Sequence, residues 1–204
     1  MAGLSSVLRS VLLLATLALG EAAVADSDWV TRVDADGLKV ETRDIDGSDY
    51  KAFRASIVVA ATPEQVLARL EDVASYPDWF PDTVEARRIP TDDGVRSNYV
   101  RTDAPWPVKD RDAIYTQHIE RDESGITIRV GVDPDLVPEV EDAVRVRRAA
   151  GRWQLLVVDG GTAVRWQFHL EPGGRVPGSL ANARLVDTPR RALLALRDYF
   201  AGPG

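Results

Sequence analysis

An α+β helix-grip fold, a curved antiparallel sheet wrapped around a long C-terminal helix, is what this 204-residue sequence predicts. Three observations carry the prediction. Two strand-like runs, Gln154 to Val158 and Ala163 to Leu170, flank a tight Asp159-Gly160-Gly161-Thr162 turn. A glycine and proline corner, Glu171 to Ser179, follows them. The chain then ends in an amphipathic helical segment, Arg190 to Phe200. Strands that feed such a corner and a terminal helix close a sheet over a cavity, and the function is expected in that cavity.

The elements can be justified in order from the N-terminus. Arg9 precedes an uninterrupted apolar run, Val11 to Leu19, and Ala23-Val24-Ala25 is a small-residue cleavage pattern. That run is too short to cross a bilayer, which takes about 20 residues. Residues 1–25 are therefore expected to be a signal peptide, leaving a mature domain over 26–204 in the periplasm or outside the cell. Leu38 to Arg43 alternates and reads as a strand that ends at Asp46-Gly47-Ser48; Tyr50 to Val59 reads as a second. Thr62-Pro63-Glu64-Gln65 combines an N-cap threonine, a proline at the first helical position and a glutamine three residues after the threonine. Val66, Leu67, Leu70 and Val73 continue it as a helical apolar stripe.

Tyr76-Pro77-Asp78-Trp79-Phe80-Pro81 is an aromatic corner whose prolines forbid a long helix, so the rings are expected to plug one end of the sheet. A meander follows. Val84 to Ile89 and Val95 to Arg101 flank an Asp92-Asp93-Gly94 turn. Trp106 to Asp112 is read as a bend, with strands at Ala113 to Arg121, Ile126 to Val132 and Ala143 to Arg147. In the terminal helix Leu193, Leu194, Leu196, Tyr199 and Phe200 form the apolar face, and Arg190, Arg191, Arg197 and Asp198 the polar one. Val176 to Ser179 and Asp187-Thr188-Pro189 are expected to hinge or break its N-terminal half, so that the helix or a nearby loop moves to admit a ligand.

Composition narrows the function. A net charge of −7 suits neither a phosphate backbone nor, at long range, an anionic membrane. The absence of cysteine agrees with export and removes thiolate, redox and cysteine-zinc chemistry. No phosphate loop, zinc-protease pair or nucleophile elbow occurs. His118 and His169 read as solvent-facing or satisfied strand histidines. The carboxylate pairs Asp92/Asp93, Asp110/Asp112 and Asp133/Asp135 fall at turns, where carboxylates cap backbone N–H groups, and no metal site is expected. Asp110-Arg111-Asp112 places a cation between two anions. It reads either as a salt-bridged corner or as Arg111 aimed into a cavity mouth toward a polar headgroup.

Three segments carry a resemblance: Pro105 to Asp112 (PWPVKDRD), Arg147 to Gly174 (RRAAGRWQLLVVDGGTAVRWQFHLEPGG) and Arg175 to Asn182 (RVPGSLAN). Their order and separation resemble the START (StAR-related lipid transfer) domain family, within the Bet v 1-like superfamily, over roughly Trp29 to Phe200. The resemblance implies a helix-grip fold with one lipid-sized cavity that binds sterols, phospholipids, sphingolipids or other apolar molecules and needs no cofactor. The superfamily also contains polyketide aromatase/cyclases. This chain departs from the sterol-binding members at Gln117, where those proteins often carry a second buried arginine. Strand alternation nominates Tyr99, Tyr115, Gln117, Trp153, Leu155, Trp166 and Phe168 as walls, joined by Arg111 and by Leu193 of the terminal helix. The function expected is a monomeric, exported carrier of one hydrophobic ligand, with transient membrane contact, no nucleic acid and no turnover. The alternatives are a polyketide aromatase/cyclase-like enzyme using the same cavity, and an interaction module built on the Tyr76–Phe80 corner.

Overall fold

The computed structural model describes residues 28–92, 94–174 and 176–202. The expected signal peptide lies outside them. Among the described residues the strands are β1 (Val30–Ala35), β2 (Leu38–Ile45), β3 (Ser48–Val59), β4 (Thr83–Ile89), β5 (Arg96–Thr102), β6 (Asp110–Asp122), β7 (Gly125–Val132), β8 (Ala143–Arg145), β9 (Arg148–Val158) and β10 (Gly161–Glu171). The helices are α1 (Pro63–Glu71), α2 (Tyr76–Trp79) and α3 (Gly178–Ala201). One sheet runs β1-β2-β3-β10-β9-β7-β6-β5-β4, antiparallel throughout, with β8 pairing in parallel with the first residues of β6. This is the α+β arrangement expected: α3 lies on β3 and β2, and α1 covers β9, β10 and β7.

Local chemistry accounts for α1. The Thr62 side chain accepts from the Gln65 backbone N–H at 3.3 Å, and the Gln65 side chain accepts from the Thr62 N–H at 2.8 Å. The reciprocal box satisfies two N–H groups that the first turn leaves without helical partners. Val66, Leu67 and Leu70 are then buried on the sheet.

Three expectations need revision. β1 was not anticipated; it is an edge strand with nearly every residue exposed, so no alternation marks it. Asp110-Arg111-Asp112 is not a bend but the start of β6. Successive strand residues point to opposite faces, so the two aspartates cannot flank Arg111. Asp110 instead pairs with Arg101 at 2.8 Å and Asp112 with Arg145 at 2.8 Å. Pro189 neither ends nor divides α3, which runs continuously from Gly178 to Ala201. The proline removes one backbone donor without stopping the helix.

Gly151 shows how closely the sheet is built around its aromatics. A Cβ there would lie 2.2 Å from Phe168 Cδ2 and 2.3 Å from the Gln167 carbonyl oxygen. Gly151→Ala is expected to cost about 1–3 kcal/mol, the usual range for overpacking. Thermal denaturation measures it, and an unchanged midpoint would show that the β10 backbone at Gln167 and Phe168 gives way to the added methyl at no cost.

Candidate functional site

The inner face of the sheet is filled at one end and hollow at the other. Under α1 and the C-terminal half of α3 the core is solid: Val40, Ala55, Leu155, Ala192, Leu193 and Leu196 are buried there. Under the N-terminal half of α3 a cavity of about 270 Å³ remains. Phe53, Trp166, Phe168 and Leu170 form its floor, Val100, Ala113 and Tyr115 one flank, and Leu185, Thr188 and Pro189 its roof. Asp103 and Pro105 of the loop before β6, and Leu180 and Arg184 of α3, line it while being exposed, which puts the mouth between that loop and α3.

The aromatic corner closes one end, as expected. Tyr76 stacks on Phe80 with ring centroids 5.1 Å apart, and Trp79 meets Phe80 edge-on at 5.3 Å. The Tyr76 hydroxyl donates to the Leu70 carbonyl at 2.5 Å, and burial raises its pKa. Phe80 reaches the cavity wall and meets Trp166 edge-on at 5.6 Å. Beyond it, Asp82 ties the rim together. Its carboxylate accepts from Arg184 at 3.5 Å and Arg191 at 3.0 Å, on either side of Pro189, and its carbonyl accepts from the Asp103 N–H at 2.8 Å.

Of the residues nominated as walls, Arg111, Tyr115, Trp166 and Phe168 line this cavity. The Arg111 guanidinium sits at the Pro172–Gly174 corner, where Nε donates to the Pro172 carbonyl at 3.2 Å and the terminal nitrogens to the Lys109 and Gly173 carbonyls. Burial lowers its pKa. The Tyr115 hydroxyl has no hydrogen-bond partner among the described residues, and burial alone pushes its pKa up to about 12. Trp166 Nε1 is buried without a partner.

The others lie elsewhere. Leu155 is covered by α1 and Leu193 is seated in the solid part of the core. Trp153 lies behind the cavity, its ring stacked on Trp166 at 4.3 Å. Gln117 shares the inward phase of β6 but does not reach the cavity, and its Oε1 is buried without a partner. Tyr99 faces the other side of the sheet, opposite Ile114 in register, in a small second core with Ile89. Phe53, Phe80 and Leu185 are walls that the sequence reading did not nominate. The phase Phe53 shares on β3 with the buried Ala55, Ile57 and Val59, and the aromatic corner around Phe80, were the signals for two of them.

Neither histidine lines the cavity. His118 is exposed, and His169 Nε2 lies 3.2 Å from the Tyr50 carbonyl. Among the described residues no cluster of three metal-ligating side chains occurs.

Comparison with known proteins agrees with this architecture. An uncharacterized protein of Pseudomonas aeruginosa is 33% identical over 196 residues, covering 93% of this chain and 97% of its own length. A STAR-related lipid transfer protein from Xanthomonas axonopodis superposes with a TM-score of 0.79 at 35% identity, over 85% of this chain and 99% of that one. Human STARD10, at 16% identity, shares the fold with a TM-score of 0.71, over 85% of this chain and 73% of its own. Residues 51–201 match the family described as polyketide cyclase/dehydrase and lipid transport, and with its START-type helix grip the chain belongs to that family.

Proposed function

We propose that this protein is an exported carrier that holds one hydrophobic molecule non-covalently and performs no chemistry on it. The observation that supports the reading is the cavity itself, walled by Phe53, Phe80, Trp166, Phe168 and Leu170 and roofed by α3. Each enclosed CH₂ of a guest contributes roughly 0.8 kcal/mol, so a chain of about ten carbons gains near 8 kcal/mol before the costs of association. Export rests on the apolar run Val11 to Leu19 and the small-residue pattern ending at Ala25, and it places the carrier in the periplasm or outside the cell.

The rival reading, an aromatase/cyclase-like enzyme, draws on the family description, which names cyclases beside lipid transport. Native mass spectrometry of the purified chain separates the two. The carrier predicts a co-purifying apolar molecule that leaves unchanged on extraction. Turnover of a polyketide-like substrate, or no mass shift with any lipid mixture, overturns it.

The carrier reading extends to the membrane. Trp106 is 92% exposed on the loop that forms the mouth, and Leu180 is exposed across from it on α3. An exposed indole beside a cavity mouth partitions into a bilayer interface. Trp106→Ala is expected to slow ligand transfer between vesicles by roughly tenfold, the equivalent of about 1.4 kcal/mol, with the melting temperature unchanged. An unaltered transfer rate removes the docking role.

A further inference from the structure

We infer that the cavity is shaped for a single-chain amphiphile with an anionic head, a carboxylate or a phosphate monoester, seated on Arg111. This rests on the carrier reading and narrows its ligand. The lining is the first argument. Phe53, Phe80, Trp166, Phe168 and Leu170 wall one apolar hollow of about 270 Å³ beneath α3, which takes an extended hydrocarbon chain.

Charge is the second argument. Lys51 pairs with Asp44, Asp82 with Arg184 and Arg191, and Asp112 with Arg145. Asp103 is exposed on the rim, where water serves it. Arg111 differs from all of these. It is half-buried, and among the described residues its nitrogens meet backbone carbonyls and no carboxylate. Those bonds use three of the five N–H donors of a guanidinium and leave one on each terminal nitrogen. A desolvated cation with spare donors gains most from an anionic acceptor, whose hydrogen bonds are about twice as strong as neutral ones.

Length is the third argument. Arg111, Ala113 and Tyr115 occupy successive inward positions of β6. At about 3.3 Å per residue, Arg111 and Tyr115 are roughly 13 Å apart along the strand. The small Ala113 leaves the way between them open. A head at Arg111 thus places the tail of a ten-carbon chain beside Tyr115 and Trp166, the inner end of the aromatic wall.

Titration calorimetry on the delipidated full chain, with decanoate, decyl phosphate, 1-decanol and dipalmitoyl phosphatidylcholine vesicles, tests the inference. At least one of the two anions is expected to bind at least about tenfold tighter than 1-decanol. Arg111→Gln should erase that advantage, lowering anion affinity about tenfold and decanol affinity by less, and Arg111→Lys should retain part of it. Equal binding of decanol and both anions, an Arg111→Gln variant with full anion preference, or preferential extraction of phosphatidylcholine overturns the anionic single-chain ligand while the carrier reading stands. Failure of all four probes to bind overturns both. Should Arg111→Gln not fold, the comparison of anions with decanol on the unaltered protein still decides.

Discussion

Arg145→Ala is expected to cost about 3–5 kcal/mol of stability, because it abandons Asp112 as an uncompensated charge in the interior. Both side chains of the pair are 1% exposed, and Arg145 Nη2 lies 2.8 Å from Asp112 Oδ2. The same guanidinium donates to the carbonyls of Pro134 at 2.5 Å, Val137 at 3.0 Å and Pro138 at 3.0 Å. It thereby holds the segment between β7 and β8 over the second core, where Val137 packs on Ile89, Tyr99 and Ile114. Removing it strips three carbonyls and one carboxylate of their donor in a single step. The paired change Arg145→Met with Asp112→Leu should cost less than Arg145→Ala alone, since no buried charge is then left without a partner. Urea denaturation of the three variants measures this. A loss below about 1 kcal/mol for Arg145→Ala would mean that water reaches Asp112 and that the pair contributes no more than a surface one.

How much of this was legible in the sequence follows from how local each cause is. The start of α1 was readable because Thr62, Pro63 and Gln65 satisfy one another within four residues. The aromatic corner was readable for a similar reason: two prolines in six residues confine Tyr76, Trp79 and Phe80 to one short turn of helix. Asp110-Arg111-Asp112 was misread because its conformation is set by distant strands. Register with β5 and β8 extends it, against the turn preference of its aspartates.

The candidate site divides along the same line. Alternation identifies which side chains share a face, but not what covers that face. Phe168 and Leu155 point inward alike, yet one meets the hollow under the first half of α3 and the other meets α1. Leu193 sits one turn beyond Pro189, where α3 has already settled onto the solid core. On β5 even the face is obscured: Ser97, Asn98, Tyr99 and Val100 are all buried, because a second core occupies the outer side. No alternation survives there to tell Tyr99 from its neighbours.

Trp166→Ala should lose about 3–5 kcal/mol and at the same time lengthen the chain the cavity accepts. The ring is stacked on Trp153 at 4.3 Å and meets Phe53 edge-on at 4.8 Å and Phe80 at 5.6 Å, while also lining the cavity. Those neighbours hold the wall rigid, which lets the hollow persist instead of collapsing around a missing guest. Core and wall are therefore one structure here, and the stability loss and the change in ligand preference should arrive together. Denaturation measures the first. The second is read as the ratio of affinities for fatty acids two to four carbons apart, which should shift toward the longer one in the variant. A destabilised variant with an unchanged chain-length profile would mean that the guest never reaches the indole, and that Phe168 and Tyr115 alone terminate the site.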